Sequence, residues 1–398
     1  MDVTKIRADF PLLQNSQVTY FDNACQSMRP QSVIDAITHY YTHQSACSGR
    51  SAHSLAASVT KDTEKARATI ARFFHAKHSE EIIFTRNTTE GINLVANSLG
   101  LTKGDVVVTT DKEHNSNLIP WQILAKTVGI KHIIVPSLSD NSFDLKAYKQ
   151  ALTGNVKLVS VVYTSNLDGM SIPAREIIQL AHSAGAVVLL DAAQAAPHKA
   201  IDVQKLDVDF VALSFHKMCG PSGMGVLYGK KKLLTALSPF MVGGDTVASS
   251  TYTSHEFLPI PEKFEAGLQD YAGILGAAAA CDYISNVGFD AIYKQEYLIN
   301  DYLTTELSKI PELTIIGSSD PRERSGIVSF YIPGKDHHQI ALMLSQMNIA
   351  VRSGQHCVHS WFHSHNIPGS VRISAYFYNT IEEAQEMVQS IVKIVSVL

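Results

Sequence analysis

Short runs of apolar residues alternate along the chain with stretches whose apolar positions recur at helical spacing. Glu81–Thr85, Asp105–Thr110, Lys131–Val135, Lys157–Tyr163, Ala186–Leu190 and Val208–Leu213 are too short and too continuously apolar for helices, and they read as strands covered on both faces. Between them the period changes. Ile92, Val95, Ala96 and Leu99 share one helical face that stops at Gly100, and Asn117–Val128 reads as a helix. A third helix starts at Pro173, stops at Gly185 and carries Ile177, Leu180, Ala181 and Ala184. Strand and helix in strict alternation predict a doubly wound α/β unit with a largely parallel sheet. Before it the pattern is irregular. A short strand is expected at Tyr20–Asn23, a polar loop at Ser48–Ser54 of the kind that lies over active sites, and a helix over Lys61–Phe74.

After about Gly288 the character shifts. A long helix to Ile310, strands near Leu313–Ile316 and Gly326–Tyr331, and a helix over Asp336–Met347 predict a smaller α+β unit. Its last helix opens on Thr380 and Glu383, the spacing of a capping box, and buries Ala384, Met387, Val388, Ile391 and Val395. The expected division is a large unit over residues 15–287 and a small one over 288–398, with residues 1–14 packing on the latter.

Composition supports this picture and narrows the function. A chain of 398 residues exceeds what one core usually supports, and 45% hydrophobic with 18% charged residues suits a folded enzyme. The net charge of -4 argues against a nucleic-acid binder. No apolar run approaches the roughly 18 residues that span a bilayer, and the opening MDVTKIRADFPLL has no hydrophobic signal core, so a cytoplasmic protein is expected. Five cysteines, at 25, 47, 219, 281 and 357, form no CxxC pair and suit free thiols in a reducing compartment. Cys25 and Cys219 lie near the motifs described next and are expected to pack.

The candidate chemistry collects just after the strands, at the sheet edge where open α/β sheets bind ligands. Lys217 follows the strand Val208–Leu213 and precedes Gly220, Pro221, Gly223 and Gly225. A partly desolvated amine there loses its proton readily and forms an imine with an aldehyde such as pyridoxal phosphate, although a lone lysine in a turn is ordinarily a surface lysine. Asp191 ends another strand, where its carboxylate can keep a pyridine nitrogen protonated or merely cap a turn. Gln194 can reach a ring oxygen. Thr88 and Thr89 start a helix, a position that suits a phosphate or a plain N-cap, and Ser214 and His216 can add phosphate donors. His114 can stack on a flat cofactor or shuttle a proton, and Asn166 can touch ring or substrate. Cys357 is the candidate nucleophile, or one of five packing cysteines. His356, Cys357, His359, His363 and His365 have metal-ligand composition, but their spacing matches no compact zinc site and a metal-bound thiolate could not attack sulfur, so no metal is expected.

RNTTEGINLVANSLG at Arg86, EHNSNLIPW at Glu113, DAAQ at Asp191, SFHKMCGPSGMG at Ser214 and FEAG at Phe264 resemble, in order along nearly the whole chain, the pyridoxal-phosphate cysteine desulfurases of the class V aminotransferase fold. RSGQHC at Arg352 is similar to the RTGHHC-like motif of group II desulfurases and selenocysteine lyases. The resemblance implies the fold-type-I architecture, the cofactor carried on Lys217, Asp191 paired with its pyridinium, Gln194 on the ring hydroxyl, His114 stacked, and Thr89, Ser214 and His216 on the phosphate. It makes Arg372 the clamp for the substrate carboxylate, with Arg352 beside the nucleophile. It further implies a homodimer that converts L-cysteine to alanine, leaves a persulfide on Cys357 and hands it to a protein acceptor for iron-sulfur cluster assembly. Selenocysteine lyase and cysteine sulfinate desulfinase activities are the near alternatives, and a non-catalytic scaffold or metal-binding protein the remote one. Two departures stand out. Leu268, Gln269 and Asp270 follow FEAG where relatives carry a phosphate-binding threonine, and Gly243-Gly244-Asp245 replaces a three-glycine segment.

Overall fold

The computed structural model describes residues 1–398. Seven strands form the large sheet: β1 (Ile82–Thr85), β2 (Val106–Thr110), β3 (Lys131–Val135), β4 (Val156–Val162), β5 (Val187–Asp191), β6 (Phe210–Ser214) and β7 (Gly225–Gly229), in the spatial order β1-β7-β6-β5-β4-β2-β3. Neighbours from β6 to β3 are parallel, whereas β7 runs antiparallel to both β6 and β1. The sheet is therefore mixed. The expectation missed β7 because GVLYG is bounded by glycines and follows a turn of only ten residues, which joins β6 to β7 as neighbours and so forces them antiparallel.

Each residue of β1, β2, β6 and β7 is buried, as continuous apolar runs require when helices cover both faces. Close approach sets two glycines. A Cβ on Gly91 would lie 3.2 Å from the Cβ of Ala212, so the helix Thr88–Ser98 lies directly on β6. A Cβ on Gly225 would meet the Cα of Asn87 and the carbonyl of Leu213 at 2.6 Å, which only glycine avoids.

The second sheet has four antiparallel strands, β8 (Thr314–Ile316), β9 (Ile327–Tyr331), β10 (Arg352–Gly354) and β11 (Ser370–Ser374), in the order β8-β9-β11-β10. It has its own core, in which Phe330, Val371 and Ile373 meet Leu303, Ile340, Met387 and Ile391. The helix Ile381–Val395 begins with the expected reciprocal bonds between Thr380 and Glu383.

Four local expectations are corrected. The first 60 residues are mainly helical, over Val3–Ala8, Pro11–Asn15, Gln31–His39 and from Ser54, because Val33 and its neighbours pack on the helix Tyr271–Val287, whose alanine-rich surface is buried nearly all round. The helix Ala174–Ser183 buries Ile177 and Ala181 as expected, but with Ala174 and Ile178, while Leu180 is half-buried and Ala184 exposed. Strand Tyr20–Asn23 is instead Thr19–Tyr20, paired with Ile349–Ala350, followed by a bridge from Asp22 to Ser374. The Ser48–Ser54 loop lies exposed and lines none of the cleft described below, held by the Gly49 amide donating to Thr60 at 2.8 Å and by Arg50 pairing with Asp245. No helix is long and apolar enough to cross a membrane.

Candidate active site

The carboxyl ends of β5 and β6 form the floor of a cleft with about 840 Å³ of open space. After Ser214 the chain makes one 3-10 turn, Phe215–Lys217, held by the Gly220 amide donating to the Phe215 carbonyl at 2.9 Å. This turn puts the Lys217 side chain on the cavity wall. Burial lowers its pKa to about 8, against the opposing charge of Asp191. Asp191 is 2% exposed, accepts from the Ala193 amide at 2.9 Å and makes no ion pair with any side chain. Burial raises its pKa, the Ala193 hydrogen bond and the Lys217 charge working the other way. A buried carboxylate with spare acceptor capacity is a demand for a cationic N–H partner.

At one end of the cleft the helix Thr88–Ser98 presents its first turn. The Thr88 amide donates to the Ser214 hydroxyl at 2.8 Å, and the two hydroxyls are 2.6 Å apart. Thr89 bonds Ser116 at 2.7 Å, and His216 also lines this end. His114 caps the neighbouring helix Asn115–Thr127, its Nδ1 accepting from the Ser116 amide at 3.1 Å. Burial, then the charges of Lys217, Arg372 and Arg352, hold its pKa down to about 3; burial and Lys217 do the same for His216, to about 4. Both rings are neutral at pH 7. Behind His114, the carboxyl group of Glu113 is wholly buried and tied by the Thr110 hydroxyl (2.6 Å), the Val162 amide (3.0 Å) and the Asn117 amide group (2.7 Å). It locks the ends of β2 and β4 together.

The opposite wall comes from the four-stranded sheet. Arg352 and Arg372 face each other across the β10–β11 ladder. Arg372 is 2% exposed; its Nη1 donates to the Asn166 carbonyl at 3.1 Å and its Nη2 to Asp22 at 3.3 Å. Arg352 Nη1 donates to the Cys25 sulfur at 3.1 Å. Beyond β10 the chain turns through left-handed backbone at both His356 (φ 48°) and Cys357 (φ 60°), leaving Cys357 half-buried on the cavity wall. Three bonds pin this turn to the large sheet's loops: Asn166 Nδ2 to the His356 carbonyl at 2.6 Å, the Asn115 amide to the Cys357 carbonyl at 2.8 Å, and the Asn115 side chain to His359 at 2.9 Å.

Lys217, Cys357, His114, Thr88, Thr89, Asn166, Asp191, Gln194, Ser214, His216, Arg372 and Arg352 all line this one cleft. Several buried polar atoms on its wall have no protein partner, namely Gln194 Oε1, Asn166 Oδ1, His356 Nδ1 and Arg372 Nε. Together with the unpaired Asp191 they suit a polar, planar, phosphorylated ligand that carries a ring N–H and a hydroxyl. Sequence reasoning missed Asp22, Cys25 and Ser116. Cys25 is corrected from a packing role, since it lines the cleft against Arg352, while Cys219 is fully buried with its thiol pKa pushed up to about 12 by burial. Asp22 and Cys25 lie in the segment read as irregular, so only the residue types themselves could have marked them. The histidines around Cys357 diverge: His356 bonds Ser370 at 2.8 Å, His359 bonds Asn115, and His365 stacks on Trp361.

The sequence model described as "Aminotransferase class-V" matches residues 19–387. A "Probable cysteine desulfurase" of Synechocystis sp. is 41% identical over 394 residues, 97% of this chain and 94% of that protein. Among solved structures, an apo cysteine desulfurase from Thermococcus onnurineus NA1 superimposes with a TM-score of 0.95 at 35% identity, over 99% of this chain and 98% of that one. An S-sulfonic acid form of the cysteine desulfurase CsdA from Escherichia coli does so with a TM-score of 0.93 at 31% identity, over 100% and 99%.

Proposed function

The chain belongs to the class V aminotransferase family, and from that premise we propose how its cleft performs the reaction of a pyridoxal-phosphate-dependent cysteine desulfurase on L-cysteine. Lys217 would carry pyridoxal phosphate, Asp191 would pair with its ring nitrogen and Gln194 with its ring hydroxyl, and Thr88, Thr89, Ser214 and His216 would hold its phosphate, all of them lining the cleft. When bound, pyridoxal phosphate supplies an electron sink for the carbon that loses a proton. His114, whose Nδ1 accepts from the Ser116 amide, would stack on the cofactor ring and stands close enough to the reacting groups to serve in proton transfer.

The substrate carboxylate goes to Arg372, whose Nε is free, with Arg352 and Asn166 beside it. Lys217 Nζ, once released, takes the α-proton. The Cys357 thiolate attacks the sulfur of the substrate, the C–S bond breaks with its electron pair left on the β-carbon, which takes up a proton, and a persulfide remains on Cys357 while alanine leaves. The observation that carries this reading is that Lys217, Asp191, Arg372 and Cys357, drawn from two sheets, meet on one cleft. The short, pinned turn at Cys357 supports the group II type.

The reading extends to organisation. We place the large unit at 15–287 and the small one at 288–398; each sheet has its own core, although Phe10 and Tyr376–Tyr378 join the large core and Phe21 the small one. The protein works as a homodimer, supported by an exposed apolar strip of Phe240, Met241, Val242, Tyr252 and Leu268 on and beside the hairpin Val247–Phe257. Leu268 offers no side-chain donor to a phosphate. Five free cysteines suit the cytoplasm, and the persulfide passes to a protein acceptor, for iron-sulfur cluster assembly.

The test is incubation of the purified protein with L-cysteine, then mass spectrometry of its cysteine peptides. One added sulfur on the Cys357 peptide is expected, whereas sulfur on Cys25 alone would overturn the assignment.

A further inference from the structure

A second, larger cleft lies back to back with the first. It has about 1340 Å³ of open space, shares Val162 with the catalytic cleft, and is walled on one side by loops of the large sheet and on the other by the segment that leads into β9. None of the residues that line it, apart from Val162, belongs to the site described above.

Two of its cations stand without a carboxylate beside them. Lys112 is paired with Asp168 at 2.9 Å and Arg322 with Asp320 at 2.6 Å, His198 bonds Glu296 at 2.6 Å, and Glu323 also lines the cleft. Lys199 and Arg324 have no carboxylate within ion-pair distance. The ammonium of Lys199 has only the Ser171 hydroxyl at 2.5 Å and the face of Tyr163 at 5.0 Å. Arg324 is 4% exposed; one of its nitrogens reaches Asn300 at 3.3 Å and Thr304, while its Nε and Nη1 have no partner at all. The Ser325 hydroxyl beside them is also unpartnered. Burial lowers the pKa of Lys199 to about 8 and that of Arg324 to about 10, with only the more distant Glu296, and Asp168 with Asp320, acting against it. A buried guanidinium with two idle donors is costly unless something negative fills the space before it.

We propose that this cleft binds a small anion of the carboxylate or phosphate class, held by Lys199 and by the free Nε and Nη1 of Arg324, with Ser325 as a further donor. Arg324 bridges by backbone to Met170, and the Ser325 amide donates to the Gly169 carbonyl at 2.9 Å. The anion therefore sits on the seam between the two sheets and ties them together. This inference is independent of the sulfur chemistry.

Protein loaded with pyridoxal phosphate, whose own phosphate subsite is then filled, is titrated calorimetrically with inorganic phosphate and, separately, with succinate. Binding of at least one is expected, and the arm that binds names the class. Lys199→Ala, at a half-buried position, weakens it by about tenfold or more; Arg324→Lys, which removes the fork, does likewise where it folds. Crystals of the loaded protein soaked in selenate are expected to show an anomalous peak between Lys199 and Arg324. No binding of either anion, undiminished binding by Lys199→Ala, or a peak confined to the cleft of Lys217 would each overturn the proposal.

Discussion

The two walls of the catalytic cleft are built differently. Asp191 and Lys217 stand at the ends of adjacent parallel strands, with Asp191 opposite Ala212 in the β5–β6 register, inside a sheet covered on both faces. Cys357 stands on a turn of two consecutive left-handed residues beyond the edge strand of a four-stranded sheet, half-exposed and pinned by Asn166 and Asn115. Non-glycine residues in that conformation store roughly 1–2 kcal/mol each. The contrast separates two tasks. Holding a cofactor is served by a floor that cannot move, while receiving a sulfur and presenting it outward is served by a shaped turn at the rim.

That contrast can be tested by taking the walls apart. Lys217→Ala removes the floor, and activity on L-cysteine should fall by about 10⁴-fold or more with loss of the bound-cofactor absorbance. Cys357→Ala removes the rim alone: activity should fall by about 10²-fold or more while the cofactor absorbance stays. An absorbance lost in this second variant would mean that the walls are not separable. Arg372→Lys keeps the charge but loses the planar fork; KM for L-cysteine should rise by about tenfold, ~1.4 kcal/mol, with kcat less affected.

A smaller effect concerns pH. Burial favours the neutral form of Lys217, so its pKa lies below the ordinary lysine value, at about 8. The rate at which cofactor-free protein captures pyridoxal phosphate should therefore rise about tenfold per pH unit below 8 and level off above it. A rate still climbing steadily between pH 9 and 10 would show an unperturbed amine. Smallest of all, Cys25→Ser keeps an acceptor for Arg352, and activity should change by less than about threefold, whereas Cys25→Ala should cost more because the guanidinium loses its partner.

Much of the cleft was legible because its residues sit at positions the strand pattern marks. Asp191, Asn166, His114, Thr88 and Lys217 each follow an apolar run, and parallel strands bring all such ends to one edge. Cys357 and Arg372 were legible only through motif resemblance, since nothing local in RSGQHC says that it faces Lys217. Cys25 was marked only as a packing thiol, and neither Asp22 nor Ser116 was given a role. Their importance comes from the arginine or hydroxyl each meets, and Arg352 is separated from Cys25 by more than three hundred residues.

By itself, the sequence determined the elements and their class, because apolar period and short-range capping are local properties: β3 ends as read, and Thr380 with Glu383 closes its box. It also determined the reactive groups, since a lysine or a thiol is chemically the same wherever it lies. Tertiary structure alone decided how those groups are tuned and opposed. It turned β7 antiparallel, buried Glu113 as the lock behind His114, and set Arg352 against Cys25. It also left Arg324 with idle donors in a second cleft. Burial, partner geometry and net local charge depend on atoms distant in the chain, and a one-dimensional pattern carries no record of which ones meet.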